Sequence, residues 1–175
     1  MLFKDVIEAG LYKTNDYPEI FTIGQKYSRR DVCKLLNWFK DEPPLNIGGY
    51  KIDKNTNTCP IFITYHEISD TIKYEDELLN ETTLKWFSKN KRTLESPDVK
   101  TIINSPENGL DLKLFIIKDD AEGGDFYYLG DLTIVPSTVE ELVRPLESGN
   151  ESIVTMNFKL DNPVPDTLYR YITNK

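Results

Sequence analysis

The chain has 175 residues, 39% of them hydrophobic and 29% charged, a balance that suits one folded domain with a real core and argues against intrinsic disorder. Its formal net charge of −8 excludes a protein that coats nucleic acid by bulk electrostatics, because neutralising phosphates takes clustered Lys and Arg. No apolar run approaches the roughly 20 residues that span a bilayer, and the opening MLFKDVIEAG lacks a basic stretch followed by an apolar signal segment, so the expected location is cytoplasmic.

Within 21–39, Ser28 suits a helix N-cap, Asp31 takes the third helical position, and Val32, Leu35, Leu36 and Phe39 recur at helical spacing. The stretch DEPPLNIGG then breaks regular structure through Pro43, Pro44, Gly48 and Gly49. Tyr50 to Asp53 and Ile61 to His66 read as two strands of a hairpin joined by the polar turn Lys54 to Thr58. Leu84 to Ser88 is a third short strand. Ser96-Pro97-Asp98 starts a small helix, with Ser as cap, Pro at the first position and an acid against the dipole; Val99, Ile102 and Ile103 form its buried stripe.

Leu110 to Lys118 alternates and then turns fully apolar from Leu114 to Ile117, as a central strand does. Asp119 to Gly124 turns the chain, and Phe126 to Leu129 and Asp131 to Val135 return as strands around Gly130. Ile153 to Leu160 alternates again, with Val154, Met156, Phe158 and Leu160 on one side. Asp166 to Ile172 reads as a short helix or strand ending. Short strands outnumber helices and neither a repeat nor a low-complexity linker interrupts them. Residues 1–175 are therefore expected to form one α+β domain, a curved, partly closed β-barrel with a few flanking helices. Without regular βα alternation or a glycine-rich phosphate loop, a doubly wound nucleotide-binding fold is disfavoured.

Chemistry is bounded by scarcity. Cys33 and Cys59 belong to no CxxC pair and read as two reduced thiols, and His66 is the single histidine, which removes most zinc sites and every two-histidine mechanism. Basic residues cluster in Lys26-Tyr-Ser-Arg29-Arg30 and Lys89-Asn-Lys91-Arg92, while acids dominate Tyr74 to Glu77 and Asp119 to Asp125, a segregation that permits a basic face on an acidic body. Arg29, Arg30, Lys89, Lys91 and Arg92 are candidates for holding DNA phosphates, with ordinary surface charge as the alternative for each. On paired strands, Tyr50 and Tyr65 project into one concavity and would grip a planar base, while Asp53 would accept from a cytosine amine and Gly48 and Gly49 would let backbone approach. Half-buried core tyrosines remain the plain alternative.

The run Gly48-Gly49-Tyr50-Lys51-Ile52-Asp53, followed by Ile61-Phe62-Ile63-Thr64-Tyr65-His66, resembles the base pocket of SRA (SET-and-RING-associated) domains, barrels of the SRA/PUA-like type. The resemblance implies that Tyr50 and Tyr65 sandwich a flipped 5-methylcytosine and that Asp53 reads its edge. This sequence departs from the family at His66, where Thr-Gly commonly continues. A second resemblance spans nearly the whole chain. IGQKYSRRDVCKLLNW, CPIFITYHE, KYEDELLN, LKWFSKNKRTLES, LKLFIIKDD and FYYLGDL together are similar to the C-terminal domain of ATP-dependent type IV restriction enzymes of the SauUSI kind. It adds Thr64, His66, Tyr74, Asp76, Trp86 and Ser88 as pocket candidates, leaves open whether Asp53 or Asp76 reads the base, and places the chain in a bacterium.

What this implies is a non-enzymatic module for double-stranded DNA carrying 5-methylcytosine or 5-hydroxymethylcytosine. The module itself needs no cofactor; ATP and Mg²⁺ would serve helicase and nuclease domains of the same polypeptide. Three rivals stand beside it. Pro97-Asp98 with Asp111-Leu112-Lys113 superficially matches a PD-(D/E)xK magnesium nuclease, and Asp119, Asp120, Glu122 and Asp125 weakly suggest a calcium loop. An RNA-binding or protein-interaction module of related barrel shape is the third.

Overall fold

Seven strands carry the fold in a computed structural model that describes residues 20–38, 47–66 and 75–174. They are β1 (Lys26–Ser28), β2 (Thr58–Thr64), β3 (Glu77–Asn80), β4 (Thr83–Phe87), β5 (Asp111–Ile117), β6 (Asp125–Leu146) and β7 (Gly149–Leu160). Among the described residues, four helices flank them: α1 (Arg29–Leu35), α2 (Pro97–Ile103), α3 (Ser105–Asn108) and α4 (Asp166–Thr173). The sheet runs β2-β5-β6-β7-β4-β3, with β1 added to the free side of β6. Only β2 and β5 pair in parallel, and the result is a mixed sheet curled into a half-barrel.

The two parallel strands explain why their sequences are so apolar. Ile61, Ile63, Leu112, Leu114 and Ile116 enter the main core, which also holds Trp86, Leu129, Met156 and Phe158. Phe62, Phe115 and Ile117 enter a second core under α1, with Val32, Cys33, Leu36 and Phe126. Strands buried on both faces lose the period-two pattern. Helix α1 begins with the expected reciprocal cap, Ser28 Oγ accepting from Asp31 N at 3.1 Å and the Asp31 carboxylate accepting from Ser28 N at 3.3 Å. It stops at Leu35, shorter than its apolar pattern suggests, and the residue Phe39 lies outside the described residues.

Three expectations change. Tyr50 to Asp53 forms no strand of its own; it makes single antiparallel bridges to β2, Tyr50 with Ile61 and Asp53 with Thr58, on the side that β5 leaves open. Glu77–Asn80 is a strand despite its acidic surroundings, pairing with β4. Finally, β6 is one continuous strand through Leu146. Gly130, at φ +118, sits at a bulge opposite Leu114 and Phe115, and a second irregularity separates Val135 from Glu140. These two bends let one strand pair first with β5 and β1, then with β7.

Aromatic side chains span the seam between the half-barrel's two ends. Tyr65 follows β2 and keeps its backbone N–H on Ile117 O of β5 at 2.9 Å, while its hydroxyl accepts from Leu78 N of β3 at 3.3 Å. Tyr50, bridged to β2, packs on Trp86 of β4 with ring centroids 5.0 Å apart. Among the described residues, no helix is long and apolar enough to cross a membrane.

Candidate nucleic-acid interface

The Gly48–Asp53 segment ends against an open cleft of about 570 Å³, walled also by the 89–92 turn and by α2. Gly49, at φ +75, makes the bend that delivers Tyr50 to it, and its carbonyl accepts from Phe62 N at 2.6 Å. Tyr50 is only 3% exposed. Its hydroxyl donates to Asp98 Oδ2 at 2.7 Å, and the Lys89 ammonium lies over its ring at 4.7 Å. Arg92 Nε donates to the same Asp98 carboxylate at 2.8 and 3.1 Å. The cleft thus brings together Tyr50, Lys89 and Arg92 from the sequence expectations, and adds Lys51, Lys54 and Asp98.

Electrostatics follow from this packing. Burial, then the hydrogen bond to Asp98, pushes the Tyr50 phenol up. Burial raises the Asp98 carboxyl, but the hydrogen bonds from Arg92 and Tyr50 outweigh it and hold the group below its ordinary range. Lys89 is lowered, first by burial and then by the like charge of Arg92. A cleft with several cations and one carboxylate already satisfied by two donors is suited to an anionic ligand.

The remaining candidates serve other contacts. Asp53 Oδ2 accepts from Thr56 N at 2.9 Å and Thr56 Oγ1 at 2.6 Å, shaping the 53–58 turn. Asp76 Oδ1 accepts from Phe87 N at 2.8 Å. Trp86 is core, packed between Tyr50 and Phe158. Ser88 is buried, its Oγ accepting from Val154 N at 3.0 Å and donating to Lys89 O at 3.0 Å. Thr64 ends β2 opposite Ile117. His66 holds the end of α4 through Nε2 and Ile172 O at 2.8 Å and meets Tyr65 edge-on. Tyr74 lies outside the described residues. No ring contact joins Tyr50 to Tyr65 among the described residues; Tyr50 bridges Ile61, and Tyr65 is four residues farther along, roughly 13 Å at about 3.3 Å per residue.

Among the phosphate candidates, Arg29 lies over the Phe62 and Phe126 rings at 5.4 and 4.8 Å, so its guanidinium packs on the second core. Arg30 is exposed on α1, away from the cleft lining, and Lys91 is exposed at the turn, with its backbone N–H on Ser152 O at 3.0 Å. The nuclease pattern is not assembled: Asp98 lines the cleft beside Tyr50, whereas Asp111 and Lys113 line a separate one of about 390 Å³. There Lys113 pairs with Asp111 at 3.2 Å and Asp131 at 2.7 Å. In the suggested calcium loop, Asp119 Oδ1 accepts from Ala121 N and Glu122 pairs with Lys26 at 3.0 Å. No group of three or more His, Cys, Asp or Glu placed to hold a metal occurs among the described residues.

The sequence offered Asp98 as a first-turn acid and as part of the nuclease pattern, never as a partner of Tyr50 and Arg92. Ser96 makes no side-chain cap on α2; its Oγ accepts from Thr93 N at 2.9 Å instead, and the Asp98 carboxylate turns toward residues 48 and 6 positions away. No periodicity carries that signal.

The model of a family described as a domain of unknown function, DUF3427, matches residues 21–172. No curated protein matches the sequence. Among solved structures, the DNA recognition domain of the cytosine modification-dependent restriction endonuclease LpnPI is similar over 81% of this chain and 74% of its own, at 10% identity and a TM-score of 0.54. The SRA domain of SUVH5, solved with hemi-methylated CG DNA, is similar over 83% of this chain and 92% of its own, at 14% identity and a TM-score of 0.52. The MspJI restriction endonuclease, solved with a 27-mer oligonucleotide, is similar over 87% of this chain at 13% identity and a TM-score of 0.50. The chain spans 44% of MspJI and 39% of a further restriction endonuclease, AspBHI. These likenesses establish an SRA-like fold.

Proposed function

We propose a function from one premise: the chain belongs to the DUF3427 family and folds as an SRA-like half-barrel. It is a reader of modified cytosine in double-stranded DNA that takes the flipped base into the cleft beside Tyr50, and it targets a bacterial, cytoplasmic type IV restriction enzyme. The single observation that carries this reading is the cleft itself, where the Gly-Gly-Tyr segment meets several cations and an inward carboxylate. A base buried in a duplex shows its 5-substituent only in the major groove, and extruding it costs a few kcal/mol, which stacking and edge hydrogen bonds offset.

Each residue then has a task. Lys89 swings from the Tyr50 ring, a contact worth about 0.5–1 kcal/mol at an exposed site, and gives that ring to the base. Asp98 accepts from the exocyclic amine, the donor a carboxylate naturally reads. Lys51, Lys54, Lys89 and Arg92 hold phosphates beside the opening. Tyr65 supports the seam, and Asp53 shapes the turn next to the cleft. The module performs no chemistry and binds no cofactor. ATP hydrolysis and Mg²⁺-dependent cleavage belong to helicase and nuclease domains on the same polypeptide.

The test is salt-controlled binding to matched duplexes that differ only at one cytosine, with a fluorescent base analogue opposite the site to report extrusion. Modified duplexes should bind at least tenfold tighter than the unmodified one, and Asp98→Ala should abolish that margin. Equal affinity for all duplexes would sink the proposal.

A further inference from the structure

We propose that the cleft accepts a cytosine whose 5-substituent is large and polar, with the bulk and hydroxyl groups of a hexose, in preference to one carrying a bare methyl group. This rests on the reading of the cleft as the base site. Selecting a methyl group requires a dry cage closed around it, and even a matched apolar pocket gains only about 10–200-fold from one such group. The cleft beside Tyr50 is not of that kind. Its volume of about 570 Å³ lies within the range of roughly 300–1,000 Å³ that drug-sized ligands fill, and a single pyrimidine would leave most of it to water. Tyr50, Ile52 and Pro97 are its apolar side chains among the described residues, with the aliphatic stems of its lysines beside them.

Polar groups with unused capacity line the rest. Asn57 donates its amide to Asn108 O at 3.0 Å, and its carboxamide oxygen has no partner among the described residues. Thr101 Oγ1 donates to Pro97 O at 2.8 Å and can still accept. Ser96 Oγ accepts from Thr93 N, which leaves its hydroxyl proton to give. Sugar hydroxyls both donate and accept, so this mixture is complementary to them, whereas a methyl group would leave every one of these atoms to water. Asp98 and Thr101 stand three residues apart on one face of α2, where neighbouring side chains lie about 5–6 Å apart, so one ligand can meet a carboxylate for its base edge and a hydroxyl for its substituent.

The experiment titrates the whole chain at fixed salt with four duplexes carrying cytosine, 5-methylcytosine, 5-hydroxymethylcytosine or glucosylated 5-hydroxymethylcytosine at one position. The glucosylated duplex should bind at least tenfold tighter than the methylated one, with hydroxymethyl between them. Thr101→Val and Asn57→Gly, the latter compatible with the left-handed backbone at φ +53, should each narrow that ratio severalfold, thermal unfolding confirming that both variants fold. A methylated duplex that binds as tightly as the glucosylated one overturns this inference and leaves the base-reading proposal standing. Four equal affinities overturn both.

Discussion

Asp98 holds the cleft's geometry through two donors that come from different parts of the chain, Tyr50 Oη at 2.7 Å and Arg92 Nε at 2.8 Å. Its carboxyl is held below the ordinary value of 3.8, because those hydrogen bonds outweigh burial. A group with a depressed folded pKa stabilises the fold above its unfolded pKa, and that contribution is lost as pH falls through the folded value. Asp98→Asn should therefore unfold at lower urea than the wild type above about pH 5, and the gap should close below about pH 4. Urea midpoints from pH 7 to 3 check this; a gap that stays constant to pH 3 would mean the carboxylate's charge contributes nothing. From the sequence, Lys89, Arg92 and Tyr50 were legible as candidates, since charge clusters and a Gly-Gly-Tyr turn are local features, although Lys91 of the same run stands outside the cleft lining. The link of Asp98 to them was not, since the sequence offered that acid only for a helix start and a nuclease pattern. Asp53 sits in the motif and looked better placed, but its oxygen is taken by Thr56, a contact equally local and equally consistent with a turn.

The long β6 shows what element-level reading reaches and where it stops. Its first half alternates or runs apolar through Val135 and reads as strand, whereas Pro136, Ser137 and the acids at 140 and 141 read as its end. The strand continues because Thr138 repairs the ladder. Its hydroxyl donates to Val135 O at 2.6 Å and accepts from Asn157 N at 2.8 Å, doing for β7 what backbone would do in an unbroken register. Thr138→Val keeps the shape and removes both bonds, leaving a partly buried N–H on Asn157 unpaired, which costs about 1–3 kcal/mol. Thermal unfolding should show the loss, and hydrogen exchange should localise it to Asn157 and its neighbours. If exchange at those amides is unchanged, water replaces the hydroxyl and the bulge holds itself. The parallel β2–β5 pair was missed for a related reason: Ile61 to His66 reads equally well as one arm of a hairpin, and only tertiary pairing with β5 decides its partner.

At the scale of the molecule, an acidic body presents a cation-lined opening among its described residues, so its electrostatics toward DNA should be local. A net charge of −8 opposes sliding contact along phosphates, and α1's Arg29 is spent on the Phe62 and Phe126 rings. Four cations, Lys51, Lys54, Lys89 and Arg92, line the cleft, and Arg92 is already paired with Asp98. Each phosphate neutralised adds about −0.9 to the slope of log affinity against log salt, so a footprint of three to four contacts gives roughly −3. That is shallow for a DNA-binding protein, and on the proposed reading contacts to the base itself carry the rest of the affinity. Affinity for a modified duplex measured across salt concentrations should follow this slope, and Lys54→Ala should reduce its magnitude by about 1 without changing the preference for modification. The same variant should weaken modified and unmodified duplexes by the same factor, since a phosphate carries no information about the base it adjoins. A slope much steeper than about −5 would instead require a second cationic face outside the cleft, and Arg30 on α1 and Lys91 at the 89–92 turn, both exposed, are the residues whose removal would then be expected to restore the shallow value.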